Sequence, residues 1–449
     1  MNTRNLSDLT EALLSAARHA GAEAADAIAI DGQAVSIDVR GGVLEQAERA
    51  EGVEIGLRVL IGRRQACVSA SDISGRTMSD MAERAVAMAR EAPEDPFAGL
   101  AAPEQLARHW DVAALELEDP SADPPAADLE RDAREAEAAA LAVSGVSQVQ
   151  SASASYSRRR LHLAASNGFS GGYGRTSRSV SAVAISGEGL GMERDWAAEA
   201  RIFQADLPGA ADVGTLAGQR AVERASPRRP KTGAYPVIID ERVAGSLIGH
   251  LLAAINGSAI ARGASWLRDA MGEQILPEGL SLIEDPHRPR ISGSRPFDAE
   301  GLPTARRAIV ENGLLKSWTL DLATGRKLGL PSTANAGRGT SAPPSPGAGN
   351  LALTQGAKTR EALIAEMGTG LLVTSFIGAT INPTTGDYSR GAAGIWVENG
   401  ELRHPVNECT LAGNLREMLL RITPANDARA HLSHVVPSLL VEGLTLAGE

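Results

Sequence analysis

The first half of the chain alternates between helical and strand-like hydrophobic patterns. A leucine-rich face that begins after the capping residue Ser7 predicts a helix over residues 7–20. Residues 53–59 alternate strictly between apolar and polar positions, which is typical of a half-buried strand. The same criteria predict further helices over 77–92, 126–143 and 213–225, and further strands over 27–30, 35–39, 66–70, 146–157, 161–165, 179–186 and 197–203.

The second half follows a Pro- and Arg-rich linker at 226–235 and is dominated by strands and turns. One apolar helix is predicted over 241–255, and Asn-Gly pairs at 167, 312 and 399 indicate hairpins, the first of type I′. These patterns predict an α+β fold of two domains. A mixed helix and sheet domain would span 1–225, and a strand-rich, barrel-like domain 226–449.

Composition narrows the classes of function. The 449 residues carry a net charge of −11, which argues against a nucleic-acid partner because phosphate binding needs a basic surface. Apolar residues make up 43% of the chain, too many for intrinsic disorder. Aromatic residues make up only 3%, and there are 47 glycines, so the cores must rely on Ala, Val, Leu and Ile.

The N-terminal segment and the cysteines bear on the cellular compartment. The first 20 residues contain scattered charges and no apolar signal core, and no run of about 18 apolar residues occurs. Cys67 and Cys409 lie far apart in sequence, which does not suggest a disulfide framework. We therefore expect a cytoplasmic protein that neither inserts into a membrane nor is exported.

The sequence contains no strong metal-binding motif. There is no His-Glu-x-x-His and no Cys-x-x-Cys, and zinc needs three or four ligands in fixed geometry. His431 and His434 lie three residues apart without a convergent acid beside them. His250 lies in the apolar helix 241–255, where a lone histidine is more often a structural residue than a ligand.

Candidate nucleophiles and acids are equally weak. Ser170 lies in a Gly-x-Ser-x-Gly string, but that string follows an Asn-Gly turn instead of joining a strand to a helix. Neither Cys67 nor Cys409 has an adjacent cation that would lower a thiol pKa, so each is expected to be a small apolar residue. Asp298 and Glu300 lie in a Pro- and Gly-rich loop, where solvated carboxylates are the default expectation. The hypothesis of an independent serine or cysteine hydrolase rests on Ser170 and the two cysteines alone.

The segment 383–394 is the most distinctive in the chain. Its small residues allow another backbone to approach closely, and Asp387 and Arg390 are its only charges. One interpretation is a tight turn followed by a Gly-rich edge strand. The other is an open edge, with Gly391 and Gly394 lining a channel, that receives an extended peptide by strand addition.

The C-terminal strings also carry a family resemblance. The chain resembles the PmbA/TldD family and, within it, the PmbA branch, also called TldE. The N-terminal half matches more loosely than the C-terminal half. The strings that match the family pattern in order and spacing are Phe297–Gly301, Ile309–Gly313, Arg326–Leu330, Glu366–Leu371, Thr385–Gly394, Trp396–Glu401 and Leu411–Leu415.

The resemblance implies a metal site that this chain does not complete. The TldD branch resembles zinc metallopeptidases with a His-Glu-x-x-x-His helix and a later Cys ligand, in which the Glu is the general base. Gly249 and Ala254 stand where the two histidines would be, and His250 stands where the Glu would be. No Cys occurs in the region 386–398. We therefore expect neither metal ligands nor catalytic residues in this chain.

The resemblance also implies a role and partners. The chain would be the metal-free subunit of a cytosolic complex in which a TldD-type subunit holds zinc and cleaves unfolded or extended peptides, including precursor peptides and antitoxins. It would pair with that subunit or with itself, and the candidate channel residues are His250, Asp387, Arg390, Gly391 and Gly394. The alternative is a homodimeric peptide-binding or regulatory protein without catalysis of its own.

Overall fold

The computed structural model describes residues 5–449, apart from the side chain of residue 379. Its first half contains one large antiparallel sheet with strand order β3-β2-β1-β4-β5-β6. The helices of this half are α1 (Leu6–His19), α2 (Gly75–Glu91), α3 (Ala126–Ala142) and α4 (Ala210–Glu223), and the strands are β1 (Ala24–Arg40), β2 (Val43–Ile61), β3 (Arg64–Ala70), β4 (Val146–Ala165), β5 (Ser170–Ser186) and β6 (Glu193–Arg201).

The element order reveals a repeat that the sequence does not display. The succession helix, three strands, helix occurs twice, as α1-β1-β2-β3-α2 and as α3-β4-β5-β6-α4. The two copies meet at the antiparallel pair β1–β4 in the middle of the sheet, where Ser36 lies opposite Ser155. The two units therefore build a single continuous sheet.

Helices α3 and α4 pack mainly through alanine and glycine, whereas α1 and α2 also bury Leu13, Met78 and Met81. Ala25, Ala27 and Ala29 of β1 belong to the core beneath α1 and α2, and later residues of the same strand belong to the core beneath α3 and α4. The last two helices touch closely, because a Cβ added at Gly214 would meet the backbone of Ala136. Alanine and glycine thus replace bulky side chains at this helix pair.

The second half of the chain contains a closed barrel. Its strands follow the order β16-β15-β14-β7-β19, and a further pairing between β16 and β19 closes the ring. Only the β7–β14 contact within this ring is parallel. The barrel strands are β7 (Gly233–Ile239), β14 (Gly370–Ile381), β15 (Asp387–Glu398), β16 (Glu401–Asn414) and β19 (Leu439–Ala447), and β17 (Ile422–Pro424) pairs with β19.

Helices and a second, smaller sheet surround the barrel. The smaller sheet has the order β10-β9-β8-β13-β18, and β11 pairs with β12. These elements are α5 (Glu241–Ala254), α6 (Gly257–Ala261), β8 (Leu282–Glu284), β9 (Arg307–Glu311), β10 (Leu314–Leu315), α7 (Leu322–Leu328), β11 (Ala336–Gly337), β12 (Ser345–Pro346), β13 (Leu351–Leu353), α8 (Arg360–Met367), α9 (Leu415–Leu420) and β18 (His434–Val435).

The two halves are joined by a buried ion cluster and by aromatic side chains. Asp26 of β1 is paired with Arg58 of β2 and with Arg338, which reaches across from the second half. The side chain of Arg338 is fully buried. Nearby, the rings of Phe169 and Phe297, one from each half, lie 5.0 Å apart in an edge-to-face arrangement. The scarce aromatic residues are therefore partly concentrated where the halves meet.

The structure confirms the predicted α+β class with a barrel in the second half and corrects several details. The strands predicted at 27–30 and 35–39 are one strand, because β2 and β4 pair with β1 through the polar residues between them. The turns at Asn312 and Asn399 have the two positive φ angles of type I′. Asn167 does not have a positive φ angle, because its side chain accepts a hydrogen bond from the N–H of Phe169. No helix in residues 5–449 is long and apolar enough to cross a membrane.

Candidate functional site

Helix α5 presents two different faces. Asp240 caps the helix by accepting a hydrogen bond from the N–H of Arg242. The apolar face packs into the core of the second half through Ala244, Leu247, Ile248 and Leu251. The opposite face is partly exposed and carries mostly small residues, namely Gly245, Ser246, Gly249 and His250. This pattern leaves a helix surface with few large side chains beside the barrel.

Strands β14 and β15 complete the candidate site next to α5. The ring of His250 lies 5.8 Å from the ring of Tyr388 on β15. The guanidinium of Arg390 donates to the carbonyl of Gly378 at 2.8 Å and to the hydroxyl of Ser246 at 3.3 Å. The structure therefore brings together His250 and Arg390, two of the residues that the sequence singled out.

Two aromatic rings that were not predicted as site residues lie beside Arg390. The guanidinium carbon of Arg390 lies 4.4 Å from the ring centroid of Phe376, within range of a cation–π interaction. The Phe376 and Tyr388 rings are 6.5 Å apart. Phe376 lies on β14 and Tyr388 on β15, and only the pairing of these two strands places both rings beside Arg390.

Burial sets the protonation state of the site. Burial, together with the positive charge of Arg390, holds the pKa of His250 below its ordinary value, so the imidazole is neutral at pH 7. Its Nε2 atom is buried and has no hydrogen-bond partner among residues 5–449. Burial raises the pKa of Tyr388 to about 12, so the phenol is neutral as well. Arg390 is therefore the charged group of the cluster.

Of the other predicted channel residues, Gly391 adjoins this cluster, whereas Asp387 and Gly394 lie apart from it. Asp387 is exposed at the start of β15, where it accepts hydrogen bonds from Thr385 at 2.6 Å and Asn414 at 3.2 Å. Gly391 is partly exposed next to Arg390, whereas Gly394 is buried. A Cβ at Gly394 would collide with the carbonyl of Leu372 on β14. Close strand packing thus accounts for the glycine at 394.

The prediction that β15 is an edge strand is wrong. It pairs with β14 on one side and with β16 on the other, so its backbone groups are used within the barrel. The small residues that suggested an open edge instead allow the close approach of neighbouring strands. Strand addition to β15 is excluded by the same pairing, because an added strand needs unpaired N–H and C=O groups.

Three family models cover most of the chain. They describe PmbA/TldA metallopeptidase domain 1 at 25–89, the central domain at 119–226 and the C-terminal domain at 232–448. The chain belongs to the PmbA/TldD family. The first two models correspond to the two copies of the helix and strand repeat, which share one sheet in the structure.

Individual relatives agree with this assignment. The metalloprotease PmbA of Escherichia coli O157:H7 is 36% identical over 416 residues, which cover 92% of this chain and 90% of that protein. The metalloprotease PmbA homolog of Haemophilus influenzae is 34% identical over 421 residues, with the same coverage of both chains. The predicted resemblance to the PmbA branch is confirmed.

Solved structures share the fold along the whole chain. A proposed modulator of DNA gyrase from Bacteroides thetaiotaomicron superposes with a TM-score of 0.91 at 26% identity and covers 100% of both chains. TldE from Thermococcus kodakarensis superposes with a TM-score of 0.83 at 19% identity, covering 98% of this chain and 100% of that one. At 19% identity, the similarity to this TldE structure shows a shared fold alone.

The residues of this PmbA/TldD-family chain do not fit a zinc site on α5. Gly249 and Ala254 have no donor atom, and a Cβ added at Gly249 would meet no atom within 4 Å. His250 alone offers one ring nitrogen, whereas zinc needs at least three protein ligands. Within residues 5–449, no three His, Cys, Asp or Glu side chains are grouped closely enough to hold a metal ion.

His431, His434 and the two cysteines do not form a second candidate site. His431 lies 3.4 Å from a carboxylate oxygen of Glu199, and burial lowers the pKa of both His431 and His434. Cys409 donates to the carbonyl of Ala392, and burial raises its pKa to about 11. Burial also raises the pKa of Cys67. Both thiols are therefore protonated at neutral pH and poor nucleophiles.

Ser170 has a neighbour that the sequence analysis missed. His162 places Nε2 at 3.4 Å from the hydroxyl of Ser170, and its Nδ1 lies 2.9 Å from the hydroxyl of Thr10. The hairpin at Asn167 could have signalled this pair, because it sets residues 162 and 170 near each other. Ser170 begins strand β5 instead of a helix, so the elbow geometry of a hydrolase is absent here.

Asp298 and Glu300 are buried, which contradicts the expected solvated loop. Their residues are 2% and 9% exposed. Asp298 accepts three backbone hydrogen bonds, whereas Glu300 accepts one, from the N–H of Leu322. Burial, with the nearby charge of Asp298, raises the pKa of Glu300 to about 8. The loop folds inward because its carboxylates cap backbone groups where the two halves meet.

Proposed function

We propose that this chain is the metal-free subunit of a cytoplasmic TldD/PmbA-type peptidase that cleaves unfolded or extended peptides, such as precursor peptides and antitoxins. One observation carries the proposal. At the helix position where a TldD-type chain would hold zinc, this chain has Gly249 with open space above it and Ala254 without a donor atom. The partner would be a TldD-type subunit that supplies the metal ligands and the general base.

In this proposal, α5 serves as a surface that holds substrate. Gly245 and Gly249 each leave open space where a side chain would project. A peptide backbone can approach such a helix face closely, because only glycine leaves room for it. The peptide need not be recognised by its sequence, which suits a subunit that accepts many unfolded substrates.

His250 and Arg390 would orient the peptide on this face. A neutral imidazole can donate one hydrogen bond and accept another, and its Nε2 lacks a partner within the described part of the chain. It therefore suits a peptide N–H or C=O group. Gly391 borders Arg390, and Asp387 lies at the start of the same strand, so both are further candidate contacts of the peptide. Gly394 would contribute indirectly, by allowing the close strand packing that positions them.

Affinity purification of the tagged chain from its native host tests the proposal. We expect a TldD-type protein to co-purify in about equal amount, and zinc to follow that protein when the two are separated. An untagged strain is the control. Stoichiometric zinc on this chain, together with peptide cleavage by the chain alone, would contradict the proposal. A homodimer that binds peptide and never recruits a TldD-type protein would support the regulatory alternative.

A further inference from the structure

Arg390 differs from the other arginines around the candidate site in having no acidic partner. Arg242 and Arg360 are both paired with Asp240, at 3.1 and 2.9 Å. Arg224, at the end of α4, lies within 3.7 Å of Asp195. Within residues 5–449, no Asp or Glu forms a salt bridge with Arg390. A positive charge is therefore left without compensation at this position.

The side chain is nevertheless held in place by neutral groups. Its Nε donates to the carbonyl of Gly378 and its Nη1 to the hydroxyl of Ser246, and the ring of Phe376 covers one face. The hydroxyl of Ser246 is itself committed to the carbonyl of Val243 at 2.7 Å, so it accepts from Arg390. A guanidinium fixed in this way loses little conformational freedom when an anion binds.

One side of the guanidinium remains available. The contacts to Gly378 and Ser246 use Nε and Nη1, the phenol of Tyr388 also interacts with the guanidinium, and Nη2 is not among the polar atoms sealed from solvent without a partner. The surroundings are apolar or small: Ile377 is 63% exposed, and Gly245 and Gly249 leave open space on α5. A fixed cation beside apolar surface is a suitable receptor for a carboxylate attached to an extended chain.

We propose that Arg390 is an anchor for a carboxylate of the peptide substrate, either its C-terminal carboxylate or an Asp or Glu side chain. The inference rests on the proposed function for its substrate class, but it concerns binding and not cleavage. The Nη1 and Nη2 edge would receive the two carboxylate oxygens, while Phe376 and Ile377 contact the adjoining apolar part of the peptide. Arg390 would thereby set the position of the peptide on α5.

Peptide binding to the purified chain tests this anchor without any partner. The probe is a fluorescein-labelled, unstructured ten-residue peptide of Ala, Ser and Gly with a free C-terminus. The second probe is its C-terminal amide, and the third is that amide with one internal Glu. Anisotropy titrations use the unmodified chain, Arg390→Gln and Arg390→Lys. Arg416→Ala is the matched control, because Arg416 is an exposed arginine that pairs with Glu273 at 3.0 Å.

We expect the free acid to bind about tenfold to a hundredfold more tightly than the amide, as for a charge-assisted contact. Arg390→Gln should abolish this difference, Arg390→Lys should keep part of it, and Arg416→Ala should leave it unchanged. If the Glu-containing amide binds like the acid, the anchor accepts a side-chain carboxylate as well as the C-terminus. If it binds like the plain amide, the source is the C-terminus.

Two results would overturn the anchor. One is equal affinity of all three peptides for the unmodified chain, including no binding of any of them. The other is an equal loss for both peptides in Arg390→Gln when circular dichroism shows that the variant is folded. The outcome is separable from the proposed function. A complex that cleaves peptides although this chain binds all three probes equally would refute the anchor alone, and an anchor without any TldD-type partner would refute the peptidase role alone.

Discussion

At the scale of single residues, the buried pair Asp298 and Glu300 shows how backbone donors determine the location of a proton. Both carboxyls are buried where the two halves of the chain meet. Burial favours the neutral form of each, but the three N–H donors to Asp298 favour its anion. The proton of the pair therefore resides on Glu300. Nothing in the loop sequence reveals these donors, which come from residues as distant as Ala336.

The raised pKa of Glu300 predicts a pH-dependent stability. The unfolded chain releases this proton near the ordinary value of 4.5, whereas the folded chain holds it until about pH 8. The free energy of unfolding should therefore fall as pH rises through this window. Glu300→Gln keeps an acceptor for the N–H of Leu322 and cannot ionise. The variant should therefore lose less stability as the pH rises, and at pH 8 its free energy of unfolding should equal or exceed that of the unmodified chain. Urea unfolding from pH 5 to 8 measures this, and a parallel decline in both proteins would refute it.

Ser170 and His162 offer a second test at the residue scale. Their contact resembles part of a hydrolase site, but the third member, Thr10, is neutral and Ser170 lies at the start of a strand. Ser170→Ala should leave peptide cleavage by the reconstituted complex within about twofold of normal, since one such serine supplies many orders of magnitude in true serine hydrolases. A loss of a thousandfold or more in kcat would revive the hydrolase hypothesis.

At the scale of elements, strand β15 shows how small residues serve a closed barrel. Gly394 leaves no space for a Cβ against Leu372, whereas at Gly391 the nearest atoms of Ile377 are 3.2 and 3.3 Å from an added Cβ. The first position is fixed by packing. The second can take a small side chain if Ile377, which is largely exposed, moves slightly.

The two glycines should respond differently to substitution. Gly394→Ala should destabilise the chain by about 2 kcal/mol or more, as for an overpacked core. Gly391→Ala should stay within about 1 kcal/mol of the unmodified chain, because a lower chain entropy offsets the tight contact. Thermal unfolding monitors both. Equal stability of both alanine variants would contradict the packing argument.

Helices were predictable because their signals are local. The predicted helices at 77–92, 126–143 and 241–255 correspond to α2, α3 and α5 within two residues at each end. The status of β15 was not predictable, since an interior and an edge strand differ in their distant partners and not in their own residues. For the same reason, His250 and Arg390 could be singled out individually, while Phe376 and the absence of an acid beside Arg390 needed the strand pairing.

At the scale of the whole molecule, the two halves are joined by groups that are far apart in sequence. Asp26 is 3% exposed and is shared by Arg58 from its own sheet and Arg338 from the second half. The segment that carries Arg338 lies directly on β2, because a Cβ at Gly56 would meet the backbone of Thr340. Long-range contacts of this kind leave no periodic signal in a sequence.

Replacing Arg338 should weaken the contact between the two halves of the chain. Arg338→Ala leaves Asp26 buried with one cation instead of two and opens a cavity, so we expect a loss of about 3 kcal/mol. The control is Arg403→Ala, since Arg403 is 42% exposed and pairs only with nearby Glu401. Differential scanning calorimetry should show a lower transition for Arg338→Ala alone, with the two halves unfolding at separate temperatures. An unchanged single transition would contradict the role of the ion cluster.

The proposed function requires that this chain cleave peptides only together with a second kind of subunit. The most direct measurement is the rate of cleavage of an unstructured peptide while this chain is titrated into a fixed amount of zinc-loaded TldD-type protein. We expect no cleavage by this chain alone and a rate that rises until the two proteins are about equimolar. Cleavage by this chain alone, or a rate that does not depend on it, would contradict the central claim.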